Sequence, residues 1–184
     1  MMPRRMADEE IPSGKNERAS QADGAVPARA AAATAGPAAD HRFLASAVWS
    51  GDGAGAGHVR PGDGAIDVPI AGATVLGGAG GDANPEELLL AALAACFVNT
   101  WAIFLRKLQV AYAEPAIRVA GTLTNDPAGG FRMSGAVIYA RVPATLLEAD
   151  RAKVEKTLSL TEKYCIISKV ARAAMPVKVE IESV

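Results

Sequence analysis

Cysteine is scarce in this chain. Only Cys96 and Cys165 occur among 184 residues, 69 positions apart. A disulfide-stapled secreted domain usually carries more cysteines at closer spacing. A structural zinc site needs four Cys/His ligands in close pairs. Two lone cysteines plus His41 and His58, set near a Gly-rich stretch, do not supply them. No metal and no cofactor is therefore expected. A dominant charge is lacking too: the net charge is −1, with no strongly basic or acidic block. That gives no footing for electrostatic capture of nucleic acid or of an anionic membrane surface. What is abundant is apolar. Half of the residues are hydrophobic and 21% are charged, a globular composition that can bury a core. The length suits one domain plus a tail.

Residues 1–40 read as that tail, and residues 41–184 as the domain. The first segment holds no aromatic residue and few large apolar ones, among them Met6, Ile11 and Val26. It cannot bury enough apolar surface to offset its ordering entropy and is expected to be disordered. Arg4-Arg5 is followed by Asp8, Glu9 and Glu10 and not by an apolar run, so it does not read as a signal peptide. The cytoplasm, where thiols stay reduced, is the expected compartment. Leu88 to Leu105 carries no charge over 18 residues, the lower edge of a membrane span. Its alanines, Asn99 and Thr100 and its lack of flanking charge bias favour a buried helix of a water-soluble fold instead.

Local patterns give the elements in order. Residues 43–49 read as a strand and Ser50 to Gly57 as a flexible Gly-rich loop. Ile66, Val68 and Ile70 alternate with Asp67 and Pro69 in an edge strand. Gly77 to Gly81 lacks the spacing of a phosphate-binding turn. Asn84-Pro85-Glu86-Glu87 is a helix start: an N-cap, a first-position proline, two acids at the positive end, and a capping box through Glu87. That helix should run to about Leu108. Two alternating strands follow, Ile117 to Leu123 and Phe131 to Val137, joined by the turn residues Asp126-Pro127-Ala128-Gly129-Gly130. A second helix is expected over Ala144 to Tyr164. Its stripe Leu147, Val154, Leu158, Thr161 continues inward to Cys165. A short helix, Ile167 to Ala174, and a strand from Val177 to Ile181 complete the chain. Hairpins joined by long helices predict an α+β fold with antiparallel strands.

By residue type alone the cysteines have two readings. Free cysteine is among the most buried residue types, so both can be plain core residues. They can equally be a reactive pair, if two buried helices bring the sulfurs together. Glu86, taken alone, is a helix N-terminal acid stabilised by about 0.3–1 kcal/mol. His58 reads as a solvated residue. Trp49 and Trp101 read as core or dimer contacts.

Two segments carry a resemblance. Asn84-Pro85-Glu86-Glu87-Leu88-Leu89 with Ala91-Ala92-Leu93-Ala94-Ala95-Cys96-Phe97 resembles the first-cysteine signature of the OsmC/Ohr family. Glu162-Lys163-Tyr164-Cys165-Ile166-Ile167-Ser168 resembles its second, a cysteine with a serine three residues later. The resemblance covers roughly residues 43–184. It implies long central helices in an intertwined homodimer and a thiol peroxidase acting on organic hydroperoxides. It makes Cys96 the peroxidatic cysteine, Cys165 the resolving cysteine and Glu86 an acidic partner. The reductant it implies is a lipoylated protein or a small thiol. The other expectation is a family member without peroxidase activity that binds a small apolar ligand. Two departures stand out. The loop Gly51 to Gly57 holds no arginine where the family's activating arginine belongs, leaving Arg60 or Arg42 as substitutes. Ile166 replaces the proline common after the second cysteine.

Overall fold

The computed structural model describes residues 40–184; the expected disordered segment lies, Asp40 apart, outside them. Asn84 caps helix α1 (Pro85–Lys107). Its side-chain oxygen accepts from the Glu87 N–H at 2.8 Å, and the Glu87 carboxylate accepts from the Asn84 N–H at 3.3 Å. The capping box read from the sequence is therefore in place, with Arg106 and Lys107 in the last turn. Leu93, Phe97, Trp101 and Leu105 form the buried seam of α1, one residue every four, which is a single helix face. That seam packs on strand β4 (Ala116–Asn125) and on helices α2 (Ala144–Tyr164) and α3 (Ile166–Ala174). A polar ladder fixes α1 against α2. The Trp101 indole N–H donates to Thr157 Oγ1 at 2.9 Å, the Thr157 hydroxyl to the Val154 carbonyl at 2.6 Å, and the Thr161 hydroxyl to the Thr157 carbonyl at 2.8 Å. Each buried hydroxyl on this face thus has a partner, as burial requires.

The sequence expectation of a helix buried all round is only half met. One face of α1 is covered, whereas Leu89 and Ile103 on the rest are exposed. Among the described residues α1 is also the helix with the length and apolar composition to cross a membrane. Its seam, tied to α2 by an indole hydrogen bond, packs as a core helix does.

Strands β4 and β5 (Phe131–Val142) pair antiparallel. The turn between them uses Gly129 and Gly130 at φ 106° and 78°, backbone that favours glycine. Strand β6 (Val177–Ser183) pairs parallel to β5. Antiparallel pairing was expected throughout, and β6 departs from it because α2 and α3 form the long crossover that parallel neighbours need. The inward residues Ile138, Ala140 and Val142 of β5 complete the core under the helices.

The first three strands form a separate antiparallel sheet in the order β1 (Ala45–Ser50), β2 (Ala56–Pro61), β3 (Val68–Ala71). Pro69 sits on an edge strand, as its missing N–H demands. Strand β2 was not foreseen, because its first residues read as part of a flexible loop. The glycines have another purpose. A Cβ at Gly55 or Gly57 would collide with the carbonyl oxygen of Ser50 or Val48, so glycine permits close backbone approach in the hairpin. All six residues of β1 are exposed.

Candidate active site

Cys96 lies one position before Phe97 and so at the border of the α1 seam, partly buried. Cys165 is fully buried. It stands at a corner, not inside a helix: with φ −64° and ψ 117° it ends α2 and caps α3. Its N–H donates to the Thr161 carbonyl at 2.8 Å and its sulfur accepts the Ser168 N–H at 3.4 Å. The Cys165 thiol donates to the Cys96 sulfur, with the two Sγ atoms 3.1 Å apart. Both are free thiols. A disulfide is about 2.05 Å long, so closing the bond needs only about 1 Å of approach.

The two sulfurs have opposite acidities. Burial disfavours the ionised form of each. At Cys96 that effect is outweighed by the Ile167 N–H, the Cys165 thiol, the Ile166 N–H and the Thr100 hydroxyl, and the pKa falls below the ordinary thiol value. At Cys165 burial prevails, reinforced by the neighbouring Cys96 and only partly opposed by Ser168, and the pKa rises. Cys96 is thus the sulfur that ionises more readily, and Cys165 is the one that holds its proton and donates to it.

The origin of this asymmetry is the first turn of α3. The first N–H groups of a helix have no partner within it. Here those of Ile166 and Ile167 act on Cys96, and that of Ser168 on Cys165. The sequence reading had looked for help in a cation, an arginine of the Gly51 to Gly57 loop or its substitutes Arg60 and Arg42. It overlooked α3. The available signal was the helix break at Cys165 followed by a fresh start at Ile166. Because residue 166 is not proline, it has an N–H to give. An ion pair between Arg172 and Glu162 ties α3 back to α2 across the corner.

The remaining sequence candidates lie elsewhere. Glu86 is ten residues before Cys96 on one helix, about 15 Å along its axis. Its carboxyl lines an apolar groove of about 200 Å³ with Val75, Leu76, Leu90, Leu123 and Met133. Its Oε2 is buried there without a hydrogen-bond partner among the described residues. Arg60 is held by Asp67 at 3.1 Å, and the same carboxylate meets His58 Nδ1 at 3.1 Å. Arg42 lines a surface cleft beside Phe43, Leu44 and Pro61. Neither arginine is among the groups acting on Cys96 within the described residues. Trp101 is fully buried, whereas Trp49 is partly exposed and donates to the Asp52 carbonyl at 2.9 Å.

Known proteins share this fold. The family model described as OsmC-like protein matches residues 78–180. The organic hydroperoxide resistance protein-like 1 of Staphylococcus epidermidis is 30% identical over 128 residues, 70% of this chain and 88% of that protein. The crystal structure of an organic hydroperoxide resistance protein OsmC from Legionella pneumophila superposes with a TM-score of 0.63 at 26% identity, covering 79% of this chain and 99% of that one. The organic hydroperoxide resistance protein OhrB of Bacillus subtilis superposes with a TM-score of 0.56 at 26% identity, covering 76% and 98%. On the matched signature, the fold and the cysteine pair it presents, the chain belongs to the OsmC/Ohr family.

Proposed function

We propose that this protein is a cysteine-based thiol peroxidase that reduces organic hydroperoxides. The observation that carries the reading is the pair of sulfurs 3.1 Å apart, the first shifted toward ionisation and the second away from it. The Cys96 thiolate attacks the outer oxygen of the hydroperoxide. An S–O bond forms, the O–O bond breaks, and the alkoxide leaves and takes up a proton as the alcohol. Cys96 is then a sulfenic acid. Cys165 attacks that sulfur, the S–O bond breaks, and hydroxide departs with the Cys165 proton as water. An external dithiol, a lipoylated protein or a small thiol, returns the disulfide to two thiols by exchange. Reduced cysteines of this kind suit the cytoplasm.

A homodimer completes the reading. Phe43, Leu44, Val48 and Trp49 on the first sheet, and Leu89 and Ile103 on α1, are exposed apolar side chains. A second copy covers them, and the Glu86 carboxyl, whose buried Oε2 has no partner among the described residues and which is too remote for its own Cys96, serves the dimer's substrate sites.

The test is thiol counting. Addition of one equivalent of cumene hydroperoxide should remove both free thiols per chain. Cys96→Ser should retain Cys165 as a free thiol, and Cys165→Ser should stop at a sulfenic acid that a cyclic 1,3-dione traps. Alkylation of Cys96 should reach half its maximal rate below pH of about 8.5, the ordinary thiol midpoint, because a depressed pKa ionises it earlier. Survival of both thiols in stoichiometric peroxide rules the peroxidase out and leaves a ligand-binding member of the family.

A further inference from the structure

Ser168 is the third residue of α3 and is fully buried. Its N–H donates to the Cys165 sulfur at 3.4 Å. Its hydroxyl is a different matter. It is close enough to act on Cys165, yet it is in hydrogen-bonding geometry with nothing among the described residues. Thr157 and Thr161, equally buried on the adjoining helix, each donate to a backbone carbonyl. Ser168 is therefore the exception, a buried donor left idle in a core where its neighbours are satisfied. Such a group costs stability and calls for a reason.

The reaction sequence supplies one. In the resting pair Cys96 is the sulfur that ionises more readily, and Cys165 is a thiol donor to it. A neutral thiol makes little demand on a hydroxyl, because sulfur is a weak acceptor. Once Cys96 has become a sulfenic acid, its charge is gone. The next step requires Cys165, with no solvent exposure, to give up its proton and attack. The N–H groups of Ile166 and Ile167 lower the pKa of the other sulfur. Ser168 alone in that first turn faces Cys165, through its N–H and its hydroxyl.

We propose that the Ser168 hydroxyl is the donor that stabilises the Cys165 thiolate, idle at rest and engaged when the charge moves from the first sulfur to the second. The inference rests on the peroxidase reading and deepens it by assigning a group to the second half-reaction. In that step Cys165 loses its proton, its sulfur bonds to the Cys96 sulfur, the S–O bond of the sulfenic acid breaks, and the released hydroxide takes the proton as water. In the reverse sense, when a reductant thiolate attacks Cys96 in the disulfide, the S–S bond breaks and Cys165 leaves as the thiolate. The same hydroxyl then favours Cys165 as the leaving group, and the mixed disulfide forms on Cys96.

Ser168→Ala separates this role from a structural one. Stopped-flow fluorescence resolves sulfenic acid formation from disulfide closure after one equivalent of cumene hydroperoxide. The ratio of closure rate to formation rate should fall about tenfold, the scale of one hydrogen bond to a charged group. The trapped sulfenic acid should rise in step, and the pH midpoint of closure should move up by about one unit. Thermal stability should be unchanged or higher, since an idle buried hydroxyl is removed. A wild-type ratio with an unmoved midpoint overturns the proposal. A second arm needs no peroxide: the ultraviolet thiolate absorbance of Cys165 is titrated in Cys96→Ser and in Cys96→Ser with Ser168→Ala. The midpoint should be about one unit higher in the double variant, and equal midpoints overturn the inference. Failure of the wild type to lose thiols to peroxide sinks the peroxidase reading instead, a result distinct from either.

Discussion

The two sheets of this chain make opposite use of their surroundings. Sheet β4-β5-β6 lies under three helices, and its inward residues Ile138, Ala140 and Val142 are fully buried. Sheet β1-β2-β3 is held together chiefly by its own ladders, and β1 is exposed along its whole length. The first region closes its own core and brings both sulfurs together within one chain. The second carries apolar side chains that nothing among the described residues covers. Assembling the sulfur pair is therefore an intramolecular problem, and in the homodimer proposed above covering the open sheet is an intermolecular one.

That contrast can be broken from either side. The largest effect is expected at Trp101, whose indole both fills the core and ties α1 to α2 through Thr157. Trp101→Ala should lower unfolding free energy by about 3–5 kcal/mol, read from urea titration. It should also separate the helices enough to slow disulfide closure. Loss of stability without slower closure would show that α3 alone positions Cys165. A smaller effect is expected on the open sheet. Val48→Asp with Trp49→Asp should weaken self-association by about thirtyfold or more, as loss of an interface anchor does, measured by sedimentation. The same variant should still form the intrachain disulfide with a thiol oxidant such as diamide. If closure fails, the pair depends on the second copy after all and the contrast dissolves.

The smallest effect sharpens the picture of the sulfur site. Proline is tolerated at the first position of a helix, so Ile166→Pro should leave stability nearly unchanged. It removes one of the N–H groups acting on Cys96. The alkylation midpoint of Cys96 should rise, and its rate at neutral pH should fall a few-fold, about the worth of one hydrogen bond to a charged group. An unmoved midpoint would leave the Ile167 N–H and the Cys165 thiol as the sufficient donors.

Much of the fold was legible. The start of α1 was written in Asn84, Pro85 and Glu87, because caps and a first-position proline act through local backbone chemistry. Helix α2 occupies the stretch its stripe indicated, and Cys165 is buried as the end of that stripe. Strand β2 was not legible, since Gly55 and Gly57 look alike whether they loosen a loop or let two backbones approach. The parallel placement of β6 depends on how two helices cross over, which no residue of β6 records. Of the candidate site, the cysteines were visible as residues and as a family signature. The route to ionisation was not: it was sought in an arginine and lies instead in backbone N–H groups, which every residue but proline carries.

The sequence by itself determined where the helices begin and end, which faces are apolar, and that one cysteine stands midway along α1 and the other at the end of the stripe of α2. These follow from interactions between near neighbours along the chain. Only the tertiary structure decided that the two sulfurs meet and which of them ionises more readily. Those outcomes turn on distances between segments up to 69 residues apart and on how buried dipoles point. A linear pattern contains neither.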